Sequence, residues 1–131
     1  MSDPFEIKSV RSDMALVFSG WDGDYFTVEL HGGEVSAVRR VWGYTDCQSL
    51  VGLLWHLAKQ QRGWNDPAIW SSIESDLALE FRSDVVGHVF VHVTMSHRRG
   101  VEDWRVSVEI ETELGQLPSI AQSATRFFNS Q

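Results

Sequence analysis

The sequence predicts an α+β domain: a single antiparallel sheet of six or seven strands with two helices packed on one face, in the order ββββαβββα. Three observations carry this. Apolar and polar residues alternate with period two in several separate runs, the mark of strands with one buried face. Leu50, Leu53, Leu54 and Leu57 recur at the i, i+3, i+4, i+7 spacing of an amphipathic helix, and Ile120, Ala124, Phe127 and Phe128 repeat that pattern near the end. The most regular stretch is WNDPAIWSSIESDLALEFRSDVVGHVFVHVTM, residues 64–95, which reads as a break, a strand, a tight turn and a second strand.

In chain order, Phe5–Val10 and Met14–Phe18 are short alternating runs separated by Arg11-Ser12-Asp13. SGWDGD, residues 19–24, is dense in turn formers. It lacks the regularly spaced oxygens and terminal bidentate Glu of a calcium loop. Tyr25–His31 alternates again, Gly32-Gly33 marks a hairpin turn, and Glu34–Tyr44 forms the returning strand. On that strand Arg39 and Arg40 put one guanidinium on each face, either snorkelling or paired with carboxylates, or else meeting an external anion.

Thr45 or Asp46 offers an N-cap for a helix over Gln48–Gln61, with Val51 and Trp55 widening its stripe and Gly63 as its stop. Asp66-Pro67 blocks continuation, so Trp64–Ser72 reads as a linker. In the central hairpin Leu77, Leu79 and Phe81 face the core from one strand, and Val89, Val91, Val93 and Met95 from the other. SDVVGH supplies its turn, with a Gly for positive φ. HRRGVED is a charged turn before the last strand, Trp104–Leu114, and Pro118 suits the first turn of the closing helix. Leu79, Val91 and Val108 are the expected centre of the core.

At 131 residues the chain is expected to be a single domain, residues 1–131, able to bury roughly two-thirds of its unfolded surface. Six Trp and seven Phe supply core and core-edge packing. The net charge of −7, from 11 basic and 18 acidic residues, argues against a nucleic-acid partner and suits a basic protein partner or plain solubility. Cys47 stands alone, so no internal disulfide or four-thiolate zinc site is possible, in keeping with a reducing compartment. No run reaches the ~18 apolar residues of a membrane span, and the amino terminus has no signal-peptide pattern, so a cytoplasmic location is expected.

Chemistry-bearing motifs are weak. His88 and His92 share a strand face but stand about 13 Å apart at ~3.3 Å per residue, too far to share one metal ion. Ser71, Ser72, Glu74 and Asp76 carry no nucleophile-elbow or phosphate-loop pattern. Neither a catalytic residue, a cofactor nor a metal is expected. Glu109, Glu111 and Glu113 form an acidic ladder on one strand face, which needs internal cations or a basic partner.

The run WGYTDCQSLVGLLWHLA, then RGW, WSSIESDLALEF, GHVFVHVTM and a closing Leu-Pro helix resembles small bacterial proteins classed as a domain of unknown function, over about residues 25–128. These are similar in turn to the WapI family of immunity proteins. The resemblance implies a non-catalytic protein that occludes a basic polymorphic toxin. Glu109, Glu111 and Glu113 are the candidate docking charges, with Trp64 and Trp70, from the linker, as aromatic anchors. The alternative is an enzyme or small-ligand-binding domain with a cleft near Trp64, Trp70, Glu74 and His88.

Overall fold

A computed structural model describes residues 3–44, 46–98 and 100–129. Thr45, one of the two expected cap residues, and Arg99, in the charged turn, lie outside the described residues. The order is β1 (Phe5–Lys8), β2 (Ala15–Ser19), β3 (Tyr25–Gly32), β4 (Val35–Trp42), α1 (Cys47–Ala58), β5 (Ala68–Ser71), β6 (Leu77–Ser83), β7 (His88–His97), β8 (Trp104–Glu113) and α2 (Leu117–Asn129).

The expectation of a single sheet of six or seven strands is overturned. Eight strands among the described residues form two separate four-stranded antiparallel sheets, β1-β2-β3-β4 and β5-β6-β7-β8. The eighth strand, β5, lies where a linker was expected. Asp66-Pro67 does stop the helical pattern, but the next four residues, AIWS, pair with β6 through Trp70↔Leu79. The break between the sheets falls at α1, which lies between β4 and β5 in the chain. Where β1 and β8 come together, a Val10 N–H to Glu111 C=O bond of 2.8 Å joins the chain just past β1 to β8.

Both inner faces and both helices feed one apolar cluster. The first sheet contributes Phe5, Leu16, Phe18, Phe26 and Val28, and the second Leu79, Phe81, Val91 and Val93. Leu79 and Val91 are buried as expected, whereas Val108 is only partly covered. It sits on β8, an edge strand. α2 lays Phe127 and Phe128 onto Phe5, with ring centroids 5.3 and 6.0 Å away, and Phe128 also meets Trp21 and Phe26 edge-on. The helices meet at Trp55, whose indole N–H donates to Thr125 Oγ1 at 2.7 Å. α1 is tied to β5 by the Trp70 indole, which donates to Ser49 Oγ at 3.0 Å.

α1 starts one residue early and stops at Ala58, short of Gln61, with Asp46 at its N-cap position but making no side-chain cap bond. The hairpins follow their glycines. A Cβ on Gly32 (φ +150) would strike the backbone of Met14, so only glycine fits that approach.

One inward position of the first sheet is charged. The row Phe5, Phe18, Val28 ends on β4 in Arg39. Its guanidinium lies 2.6 Å from Asp76, and its Nε donates to the Ser96 carbonyl at 3.1 Å. Both side chains are largely buried, 14% and 10% exposed. The pair therefore clamps β4 to the β5–β6 turn and the end of β7, across the two sheets. Removing one member of such a pair leaves a buried charge uncompensated, at a cost of about 3–5 kcal/mol. Asp76→Ala should lose stability on that scale in urea titrations, and Arg39→Leu/Asp76→Leu should recover most of it. A single variant as stable as the parent would show that the charge finds water instead.

Candidate functional site

The outer face of the second sheet holds the acidic ladder, and its charges are unequal. Register places Arg82, Phe90 and Glu111 in one row and Glu80, His92 and Glu109 in the next. Glu109 pairs with Arg82, whose guanidinium also lies over the Phe90 ring, 5.6 Å from its centroid. Glu111 pairs at 3.2 Å with Arg11, from the β1–β2 loop, and its other oxygen is 4.0 Å from His88. Glu113 is exposed and has no ion-pair partner among the described residues. Two of the three ladder carboxylates are thus already held by the protein's own cations.

The two Trp candidates are also placed. Trp64 is half-buried, with its indole N–H donating to the Phe81 carbonyl at 3.1 Å and its backbone N–H to Ser83 Oγ at 2.8 Å. Trp70 is 6% exposed, so it belongs to the core and offers no surface to a partner. Nor do Trp64, Trp70, Glu74 and His88 meet in one cleft. Glu74 lies in the turn before Leu77, while His88 lies beyond Ser83, so roughly 20 Å of strand at ~3.3 Å per residue separates them. Ser72, buried in the same turn, accepts the Leu77 N–H at 3.2 Å and serves as a turn brace. No group of three or more His, Cys, Asp or Glu side chains that could hold a metal ion occurs among the described residues.

The outer face of the first sheet carries a feature that strand-by-strand reading missed. Tyr25 pairs with Trp42, Thr27 with Arg40 and Glu29 with Val38. Tyr25, Val38 and Tyr44 are 42%, 53% and 57% exposed. Trp42 and Tyr44 stack with centroids 6.1 Å apart, and the Arg40 guanidinium sits 5.3 Å over Tyr25. Arg40 is held by Asp22 at 2.8 Å, and Asp22 in turn accepts the backbone N–H groups of Asp24 and Tyr25. The Tyr25 and Asp24 bonds, with Arg40, hold the Asp22 carboxyl below its usual range against the opposing effect of burial. Asp24 precedes Tyr25 and Glu29 stands opposite Val38, so two carboxylates flank the cluster, while Glu34 lies in the hairpin turn at the far end of the sheet. The signal for this cluster was in the sequence: a Gly32-Gly33 turn fixes the register that sets Tyr25 opposite Trp42.

Three further titrations follow from local contacts. The hydrogen bond to Asp84, 2.7 Å from Nδ1, raises His88 above its usual value despite some desolvation, and the charges of Asp84 and Glu111 add to it. Burial alone would raise Asp84, but bonds from the His88 ring and the His88 and Val86 backbone bring it down. Burial, followed by the charge of Asp46, pushes the Cys47 thiol up to about 12.

A model of the family of unknown function DUF6228 matches residues 8–131, and the chain belongs to that family. No curated protein matches it. Nor does any solved structure. Among the described residues no helix is long and apolar enough to cross a membrane.

His88 and Asp84 set a pH window for stability. The raised His88 contribution is complete below its unfolded value of about 6.5 and fades as pH rises through its folded value; that of Asp84 fades as pH falls through its own lowered value. The melting-temperature gap between the parent and His88→Gln should therefore be widest below about pH 6.5 and shrink as pH rises through the raised folded value of His88. A gap independent of pH would assign the effect to packing. Cys47, with so little thiolate at pH 8, should resist iodoacetamide until the chain is unfolded. Rapid alkylation in the native state would contradict its placement.

Proposed function

We propose that this member of the DUF6228 family is a non-catalytic binding protein that docks and occludes a basic protein partner, as an immunity protein does a toxin, through the outer face of its first sheet. The observation that carries this reading is the Tyr25–Arg40–Trp42–Tyr44 cluster on β3, β4 and the chain just after it, with Val38 beside it. Tyr, Trp and Arg are the residue types that dominate binding energy at interfaces, and here they are preorganised by stacking and by the Asp22 pair. Asp24 and Glu29 beside them, in a chain of net charge −7, complement a basic surface and would speed its approach.

The ladder fits a lesser part. A partner cation meeting Glu109 or Glu111 would compete with Arg82 or Arg11, while Glu113 stays available. The anchors accordingly move from Trp64 and Trp70 to Trp42 and Tyr44.

The test uses the purified product of the gene immediately upstream. A stable complex is expected when that product is net basic. Trp42→Ala or Tyr44→Ala should speed dissociation by roughly thirtyfold, the equivalent of about 2 kcal/mol for a central anchor. Asp24→Asn/Glu29→Gln should instead slow association and flatten its salt dependence. No complex, or a complex indifferent to both aromatic variants, would sink this reading.

A further inference from the structure

The outer face of the second sheet, near the overhanging β5–β6 turn, contains a trough unrelated to the aromatic cluster. One lobe has a volume of about 200 Å³ and is lined by Ser71, Ser75, Ala78, Thr94, Arg98 and Arg105. A second lobe of about 170 Å³ shares Ala78, Thr94 and Arg105 and runs on past Ile69 to Glu80 and His92.

The charge economy of the chain makes this place unusual. Arg11, Arg39, Arg40 and Arg82 are each committed to a carboxylate. Arg98 and Arg105 are both exposed, have no ion-pair partner among the described residues, and line the same small lobe. In a chain of net charge −7, two uncommitted guanidiniums on one concavity form a local positive field. Ser71 and Ser75 border it with hydroxyls that have no hydrogen-bond partner among the described residues. Thr94 Oγ1 and Ser107 Oγ share one bond at 3.2 Å, leaving further donor or acceptor capacity on the floor. Ser75 is held at φ +60, the one described non-glycine residue with positive φ, by its N–H bond to the Ser72 carbonyl at 2.9 Å.

We propose that this trough binds a phosphate monoester, with the phosphoryl group between Arg98 and Arg105 and the organic body along Ile69 toward His92. Two guanidiniums match a dianion with three terminal oxygens, whereas a carboxylate would use only one of them. The second lobe has an apolar wall in Ile69 and Ala78, giving the body of an ester a place that free phosphate would not fill. Glu80 at its far end disfavours a second anionic group.

The probe is glycerol 3-phosphate at fixed ionic strength, with inorganic phosphate and acetate in parallel, followed by amide chemical shifts of Ser75, Thr94 and Arg105. Saturable shifts are expected for the ester, with affinity above that of inorganic phosphate and well above that of acetate. Arg98→Gln and Arg105→Gln, both at exposed positions, should each weaken it by about tenfold or more, the scale of a lost charge-assisted bond. Shifts that never saturate, that persist unchanged in both variants, or that acetate reproduces at equal affinity would each overturn the proposal.

Discussion

A guanidinium on an inward-facing strand position has to be satisfied before two sheets can close over it, and Arg39 meets that constraint with groups supplied entirely by the other sheet. Asp76 provides the charge and Ser96 a carbonyl, so neither sheet completes its inner face alone. An apolar residue at position 39 would avoid the desolvation cost. What the pair adds is position, because a directional contact fixes where β4 sits over the end of β7, which apolar packing alone leaves more loosely determined. The shape of the β5–β6 turn follows from the same demand. Ser72 braces it through Leu77, Ser75 takes a left-handed conformation, and the Asp76 carbonyl accepts the Ser96 N–H at 3.0 Å while its side chain reaches Arg39.

Much of the fold was legible because side-chain periodicity reports which face of an element is buried. The α1 and α2 stripes and the alternation of seven strands were read this way, and Leu79 and Val91 occupy the centre as that pattern requires. Periodicity says nothing about which strands pair across long separations. It could not reveal that β1 and β8 belong to different ladders, and a count of alternating runs defaulted to one sheet. β5 escaped for a local reason: four residues after Asp-Pro are too few to show a period, and Trp70 looked unassigned only because its strand was missing.

The candidate sites were legible to a different degree. The acidic ladder is a property of one strand, so alternation found it, but its neutralisation by Arg11 depends on a contact spanning 100 residues of chain. The Arg39–Arg40 split between faces was correct as geometry and settles on carboxylates at both positions. The aromatic cluster lay between those cases, since it needs the register of one hairpin and nothing more distant. The Arg98 and Arg105 trough needs the turn of one hairpin to overhang the end of another, which no linear pattern encodes.

These contacts leave different charged groups unpaired on the two outer faces. The inner faces and both helices are consumed by one core, so regular, rigid surface remains mainly on the outside of each sheet. On the first sheet Arg40 is neutralised by Asp22, which leaves Asp24 and Glu29 as the carboxylates beside the exposed rings. On the second, the carboxylates Glu109 and Glu111 are neutralised by Arg82 and Arg11, so that toward the β5–β6 turn the guanidiniums of Arg98 and Arg105 carry no ion pair among the described residues, with Glu80 at the far end of the same trough. Internal ion pairing therefore does more here than stabilise: by cancelling a cation on one face and carboxylates on the other, it decides which charged groups each outer face leaves unpaired. Exposed pairs of this kind contribute little to folding, roughly 0–1 kcal/mol each, and their arrangement is better understood through the surfaces they leave behind.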